Sequence, residues 1–356
     1  MTKVLLLTGR RSDYQTERTT DAIVRGMGKD FTVTAGFIGA DLRDGLTAVR
    51  WVRRHAKQVD AVHAFGTDAL TAAAMGFDGP IIFTPTEFPT RRALRWTRAV
   101  SAYRNVQAVA TTSTQHRAMI VGGLADERYH LIRPGVDFSK IRRRRDDALR
   151  AQLNFGPDDF VILLNGESTR AADHERAVWA GSILHVLDPH VRLLIWGQGP
   201  RGQRVARYAR TMPRPTFASV AVERLGAEVS YEALLPATDC VLVTAGAPVP
   251  TLPIAVAMAA ALPIVSTVTY TVAELLEDRH TALMATNPTP REIARRVRDL
   301  RDDSRTQWHI AETARGEAYA HFSLSHMVQQ YRTLYRQLAG GAPVDLTSPP
   351  PAPVAR

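Results

Sequence analysis

A glycine-rich segment with the sequence GQGPRG, residues 197–202, is the most regular arrangement of chemistry-bearing residues in the chain. It follows an apolar run at 192–196 and precedes a helical pattern, so it formally satisfies the dinucleotide fingerprint. Glycines let backbone approach a ligand, and the N–H groups that begin a helix attract phosphate. That fingerprint normally follows the first strand of its unit, whereas here a strand is predicted earlier, at 161–165. The segment therefore indicates a phosphate-bearing ligand more than a nicotinamide or flavin cofactor.

Two titratable residues lie at the ends of predicted strands in the N-terminal half. His63 belongs to the run at 61–65, and Glu87 follows the run at 81–84. A histidine at a strand end either faces a cleft or packs in the core beside Ala64 and Phe65. Glu87 has the chemistry of a general base or a hydrogen-bond acceptor. We take both as catalytic candidates and leave the core alternative for His63 open.

Arginines cluster in two places. The helix predicted over 91–103 carries them together with Trp96, a combination typical of helices that lie on membranes, although a plain solvated face has the same composition. The run at 142–145 has the charge to contact nucleic acid or lipid headgroups, but its place between two apolar patterns predicts a linker. We therefore expect no nucleic-acid partner and keep peripheral membrane contact as an open expectation.

The whole chain is basic. Its 356 residues contain 45 Lys and Arg against 35 Asp and Glu, a formal net charge of +10. Lysine occurs only at positions 3, 29, 57 and 140, so nearly all the positive charge is arginine. Such a balance favours a polyanionic partner, or reflects the nucleotide composition of a genome.

A single cysteine, Cys240, excludes an internal disulfide and leaves no cysteine-based zinc site. We expect no metal, no cofactor and a reducing, cytoplasmic location. The apolar run at 4–7 is too short for a signal peptide. The uncharged stretch 240–273 contains Pro248, Pro250, Pro253 and Pro263, which predicts a buried segment and not a membrane span.

Short apolar runs alternate with amphipathic stretches along the chain, the pattern of strands and crossover helices in parallel sheets. Strands are predicted at 4–8, 31–38, 61–65, 81–84, 108–112 and 130–133, and again at 161–165, 192–196, 220–225, 240–244, 263–267 and 282–285. This predicts an N-terminal domain over 1–140, a basic linker over 141–150 and a second domain over 151–322. A closing helix follows at 323–339, and the proline-rich tail 340–356 is predicted to be disordered.

Several segments resemble the family 4 glycosyltransferases in order and spacing. They are LIWGQGP at 194–200, LG at 225–226, SYEALLPATD at 230–239 and AMAAALPIV at 257–265, with IRPGVD at 132–137, FS at 322–323 and Tyr331 and Tyr335 in the last helix. The resemblance covers about 130–338, and the N-terminal half fits in architecture. It implies an α/β protein of the GT-B fold, with two facing, doubly wound, Rossmann-like domains and a C-terminal crossover helix.

The resemblance also implies transfer of a sugar from a nucleotide diphosphate sugar to an acceptor, with retention and without a metal. The acceptor, whether glycan, lipid or small molecule, is not specified. The implied acceptor-side loop contains Gly9, Arg10 and Asp13. The implied donor site contains Gly166, Glu167, Arg170, Gly197, Gly199, Thr244, Thr251 and Glu274.

This chain departs from the family pattern where the donor is bound. The usual arginine and lysine after the first strand of the second domain fall at Glu167 and near Ala172, so Arg170 or Arg176 must substitute. The two usual glutamates fall at Pro248 and Val256, whereas Glu274 fits the pattern. Two hypotheses follow: a glycosyltransferase with a rebuilt donor site, or an inactive GT-B-like binding or scaffolding protein.

Overall fold

The computed structural model describes residues 1–9, 13–38, 45–123 and 128–340. The chain forms two compact units. Unit 1 contains Met1–Gly135 and the chain from Phe322, and unit 2 contains Val136–His321. The last helix of the chain therefore belongs to the same unit as the first strand.

Unit 1 is built on a six-stranded parallel sheet with the order β2-β1-β3-β4-β5-β6. Buried apolar runs form its central strands, as expected when helices cover both faces. Its strands are β1 (Thr2–Thr8), β2 (Phe31–Phe37), β3 (Ala61–Phe65), β4 (Ile81–Thr84), β5 (Val106–Ala110) and β6 (Tyr129–Leu131). Its helices are α1 (Tyr14–Gly26), α2 (Gly45–His55), α3 (Thr67–Gly76), α4 (Arg91–Tyr103), α5 (Ser113–Val121) and α13 (Leu324–Leu338).

Alternate residues of β1 point into different cores, as the two-residue period of a strand requires. Leu5 and Leu7 pack with the helices α2, α3, α4 and α5. Val4 and Leu6 pack with α1 and α13, including Tyr335. One face of the sheet is thus covered by four helices, and the other is covered by the first helix and the last.

Unit 2 repeats the architecture with the order β12-β11-β10-β7-β8-β9. All its pairings are parallel, and one apolar core contains residues from β7, β8, β10 and β11. Its strands are β7 (Phe160–Leu164), β8 (Val191–Ile195), β9 (Ala218–Val220), β10 (Cys240–Val243), β11 (Ile264–Thr267) and β12 (Leu283–Ala285). Its helices are α6 (Asp147–Gln152), α7 (His174–Leu187), α8 (Gly202–Arg210), α9 (Ala221–Leu225), α10 (Leu252–Ala259), α11 (Pro290–Asp302) and α12 (Ser304–His321).

The strand predicted over 220–225 is wrong. β9 ends at Val220, and the next five residues form the short helix α9. A short apolar run does not by itself distinguish a strand from a helix.

The segment predicted as a linker also differs, because Asp146 caps α6 by accepting from the Leu149 N–H at 2.9 Å. The predicted tail lies outside the described residues except for Gly340.

Candidate functional site

Parallel strands bring the loops that follow β7, β8, β10 and β11 to one edge of the unit 2 sheet, where ligands bind in such folds. The glycine-rich loop after β8 is held in a left-handed backbone conformation at Gly197 (φ 93°) and Gly199 (φ 94°). A Cβ on Gly199 would lie 2.9 Å from the backbone N and O of Ser168. The glycine is therefore required for close packing of two loops.

Those two loops are hydrogen-bonded to each other. The Ser168 N–H donates to the Gln198 carbonyl at 2.8 Å, and the Arg201 N–H donates to the Ser168 carbonyl at 2.9 Å. Gly166 (φ 67°) begins the loop after β7, and a Cβ there would lie 2.9 Å from Pro253 of α10. The predicted donor residues Gly166, Glu167, Gly197 and Gly199 thus belong to one connected surface.

His174, which the sequence reasoning missed, holds the loop after β7. Its Nε2 donates to the Asn165 carbonyl at 3.2 Å, because a carbonyl only accepts, and its Nδ1 accepts from the Ser168 hydroxyl at 3.0 Å. Burial lowers the pKa of His174 to about 4, so the ring is neutral near pH 7. A histidine at the start of a predicted helix, next to a glycine-containing loop, was the available signal.

A third segment, residues 226–229, is tied to the glycine-rich loop. The Trp196 indole N–H donates to the Val229 carbonyl at 2.8 Å, and the Gln198 side chain donates to the Ala227 carbonyl at 2.6 Å. The Tyr231 hydroxyl donates to Asn165 Oδ1 at 3.2 Å. This edge of unit 2 is therefore a single hydrogen-bonded framework.

The cations near these loops differ in how their charge is used. Arg201 and Arg204 lie 3.3 Å and 3.0 Å from the Glu175 carboxylate, and Arg176 lies 2.7 Å from Asp173. Arg170 is exposed in the loop after β7 and has no ion-pair partner within the described ranges. Of the two predicted substitutes for the missing cations, Arg170 is thus the one whose charge is available to a phosphate.

The loops after β10 and β11 supply few charges. The Thr244 hydroxyl donates to the carbonyls of Ala172 and Asp173, at 2.9 Å and 3.1 Å, so this predicted donor contact ties two loops together. Thr251 is buried where α10 begins, and Glu274 is half-buried in the turn after β11. Val256, where the family pattern places a glutamate, is buried within α10.

At the corresponding edge of unit 1, the structure brings two predicted carboxylates into electrostatic contact. Asp13 caps α1 by accepting from the Thr16 N–H at 2.7 Å. Burial raises the pKa of Asp13 to about 6 against the lowering effect of Thr16, and the negative charges of Glu17 and Glu87 raise it further. Glu87 is exposed in the loop after β4.

Other members of the predicted acceptor-side loop are less informative. The Gly9 N–H donates to the Phe65 carbonyl at 3.0 Å, which fixes the end of β1 beside β3. Arg10 lies outside the described residues. A pocket nearby, at the carboxyl edge of the sheet, is lined by both polar and apolar residues. They are Gln15, Thr16, Thr19, Phe65, Thr84, Pro85, Thr111, Ile132, Pro134 and Tyr331.

His63 is a core residue. Its two ring nitrogens lie 2.7 Å from the Tyr335 hydroxyl and 2.8 Å from the Thr84 hydroxyl, and its ring stacks on Phe65 at 4.1 Å. Burial lowers its pKa to about 3. Both nitrogens are occupied and the side chain is fully buried, so the structure favours the core interpretation of His63 over the catalytic one.

Within the described ranges, no group of three or more His, Cys, Asp or Glu side chains is arranged to hold a metal ion. None of the described helices combines the length and apolar character needed to cross a bilayer.

Two parallel six-stranded sheets with flanking helices, each with its polar loops at the carboxyl edge, match the GT-B fold of glycosyltransferase structures. The model of Glycosyltransferase Family 4 matches residues 3–140, and that of Glycosyl transferases group 1 matches residues 175–303. The chain belongs to the GT-B type glycosyltransferases, as the family resemblance predicted. No curated protein sequence matches significantly.

Solved structures share the fold at low sequence identity. HepE (Alr3699) of Anabaena, in complex with UDP-glucose, has a TM-score of 0.79 at 18% identity, covering 94% of this chain and 99% of that one. Sucrose-phosphate synthase of Thermosynechococcus elongatus has a TM-score of 0.77 at 15% identity, covering 96% and 100%. A glycosyltransferase of Rickettsia africae has a TM-score of 0.78 at 14% identity, covering 96% and 99%.

Proposed function

We propose that this protein transfers a sugar from a nucleotide diphosphate sugar, with UDP as the first nucleotide to test, to a hydroxyl-bearing acceptor. The observation that carries the proposal is the hydrogen-bonded framework at the edge of unit 2, where Gly166, Gly197 and Gly199 shape two joined loops. Arg170 lies beside them and has no ion-pair partner among the described residues. The neighbour HepE binds UDP-glucose, which supports this choice of donor.

In the proposed reaction, protein cations and not a metal neutralise the leaving diphosphate, with retention at the anomeric carbon. Arg170 and backbone N–H groups of the glycine-rich loop contact the phosphates, and Glu167, Thr251 and Glu274 lie on the sugar side. Asp13 and Glu87 accept hydrogen bonds from the acceptor at the edge of unit 1. The lone buried Cys240 suits the reducing, cytoplasmic location that we propose for the reaction.

A thermal-shift titration with UDP, GDP and ADP, followed by donor hydrolysis assays, tests the proposal. A nucleotide at about a hundred times its dissociation constant stabilises the native state by about 2.7 kcal/mol. We expect a shift with UDP, and slow hydrolysis or transfer from a UDP-sugar. No shift with any of the three nucleotides at millimolar concentration would overturn the proposal.

Arg170→Ala is the sharpest variant for the donor site. Loss of a charge-assisted hydrogen bond of about 1.5–3 kcal/mol weakens UDP binding roughly 10- to 150-fold. Arg305→Ala in α12 is the matched control, because Arg305 is also exposed and forms no salt bridge among the described residues. Equal UDP affinity of the Arg170 variant and the wild type would remove Arg170 from the site.

One observation favours a second candidate function, a GT-B-like binding or scaffolding protein without transfer activity. Val256 is buried and Pro248 is half-buried where the family pattern has carboxylates that contact the donor. UDP binding without turnover of any nucleotide sugar, in the presence of candidate acceptors, would favour this alternative.

A further inference from the structure

The four helices α2, α3, α4 and α5 form one layer on unit 1, which we call the α2–α5 layer. They pack on the same face of the sheet, around Leu5 and Leu7. Helices α3, α4 and α5 each connect neighbouring strands, from β3 to β6, and α2 crosses over β1 from β2 to β3, so right-handed crossovers place the four helices side by side. Their outward surfaces therefore form a continuous face of the unit.

This layer is strongly and one-sidedly basic. Its helices contain eight arginines and a single acid, Asp68. All eight arginines are exposed, and none forms an ion pair with a carboxylate in the part of the chain that the structure describes. They are Arg50, Arg53, Arg54, Arg91, Arg92, Arg95, Arg98 and Arg117.

Arginine-rich composition alone does not account for this arrangement. Helix α11 also has five arginines, but it carries three acids, and Arg295, Arg296 and Arg301 form ion pairs with Glu292 or Asp188. On the opposite face of unit 1, α1 has two acids and two arginines, and Arg25 pairs with Asp21. Eight arginines outside salt bridges in the described structure, with a single acid over four helices, distinguish the α2–α5 layer from α1 and α11.

Large apolar side chains are interspersed with these cations. Trp96 is 43% exposed, Tyr103 87% and Val121 88%, and Leu46 and Met75 are also exposed. The Trp96 indole N–H donates to the Thr71 hydroxyl at 2.9 Å, which fixes the ring on the outer surface of the layer. Cations, aromatic rings and aliphatic groups on one face match a lipid headgroup region, where charge and apolar surface are both accommodated.

We infer that the α2–α5 layer binds the surface of an anionic lipid bilayer. The exposed Trp96, Tyr103 and Val121 favour lipid over nucleic acid, because aliphatic groups such as Val121 gain little from a phosphate backbone. This inference goes beyond the proposed transfer reaction and does not depend on it.

Co-sedimentation of the full chain with lipid vesicles tests the inference. We expect binding to phosphatidylcholine vesicles that contain about one-third phosphatidylglycerol, weaker binding at high salt, and little binding to phosphatidylcholine alone. Arg92→Gln/Arg95→Gln/Arg98→Gln is expected to weaken vesicle binding roughly a hundredfold. Addition of Trp96→Ala to this triple variant is expected to weaken vesicle binding further.

The control variant is Arg291→Gln/Arg298→Gln/Arg305→Gln, which changes the net charge equally. It removes three exposed arginines of unit 2 that form no salt bridge within the described ranges. It should bind vesicles as the wild type does, and all variants should keep the wild-type thermal shift with UDP. The inference would be overturned if both triple variants lost vesicle binding equally, or if the wild type did not bind anionic vesicles at low salt. If Arg92→Gln/Arg95→Gln/Arg98→Gln lost binding to an oligonucleotide but kept binding to anionic vesicles, the layer would instead be assigned to nucleic acid.

Discussion

The two buried histidines are both held by hydrogen bonds within the protein. His63 and His174 each place both ring nitrogens in hydrogen bonds inside the protein. The sequence predicted His63 at the end of a strand but did not determine whether its side chain faced a ligand or the core. Its core partner Tyr335 lies 272 residues away in the sequence, so a local pattern could not reveal the contact. The sequence likewise did not show that His174 binds the loop after β7, or that Arg170 has no ion-pair partner among the described residues, because both facts depend on spatial neighbours.

His63 makes the protein less stable in acid. Its pKa is about 3 in the folded state and about 6.5 when unfolded, so between these values the unfolded chain binds the proton more tightly. The free energy of unfolding therefore falls as the pH drops below about 6.5, by about 2 kcal/mol at pH 5 from this group. Chemical denaturation at pH 7.5 and pH 5 should show a smaller difference for His63→Asn than for the wild type.

Asp13 has the opposite pH dependence. Its pKa of about 6 lies above the usual value for aspartate, so its contribution to stability is present below about pH 4 and is lost as the pH rises through 6. Asp13→Asn keeps an oxygen to cap α1 and removes the charge. We expect this variant to gain stability relative to the wild type as the pH rises from 4 to 7, by up to about 3 kcal/mol. If the difference in the free energy of unfolding between Asp13→Asn and the wild type were the same at pH 4 and pH 7, the raised pKa of Asp13 would be contradicted.

At the scale of elements, the loops at the edge of unit 2 depend on glycines that no other residue replaces. Periodicity predicted most strands within one or two residues because the central strands are continuous apolar runs. It failed at α9, because the sequence AVERL at 221–225 is too short for its pattern to distinguish a helix from a strand. The contact between the loops after β7 and β8 was not predictable, because it depends on residues 30 positions apart.

Gly199→Ala tests this contact. The new Cβ would lie 2.9 Å from the Ser168 backbone at a φ of 94°, so we expect a loss of stability of about 1–3 kcal/mol and weaker UDP binding. Gly316→Ala in α12 is the control, since a Cβ there contacts nothing within 4 Å. That substitution should be neutral or should stabilise the protein by up to about 1 kcal/mol. Thermal unfolding and UDP titration of both variants measure the difference.

At the scale of the whole molecule, α13 packs in unit 1, which also contains the N-terminal strand β1. Met327, Val328 and Tyr331 pack in the core that also contains Val4 and Leu6. The resemblance to family 4 predicted this closing helix, whereas the local pattern alone gave an amphipathic helix without a partner. Sequence therefore predicted the architecture through family motifs and did not show which core the helix fills.

A chain ending at His321 tests this assignment. Removal of α13 exposes the apolar part of the unit 1 sheet that α1 does not cover, so unit 1 is expected to unfold while unit 2 stays folded. Limited proteolysis should then release a resistant fragment that begins near Val136. A truncated chain in which both units resist the protease equally would contradict the role of α13.

The return of the chain to unit 1 also sets the order of events during synthesis. Strands β1–β6 leave the ribosome first, but the helix that covers one of their faces is translated only after all of Val136–His321. At about 5–20 residues per second, this interval lasts roughly 10–40 s. During that time α1 covers only part of this sheet face. The apolar part that α13 will cover stays exposed, which makes the growing polypeptide a substrate for chaperones until α13 emerges.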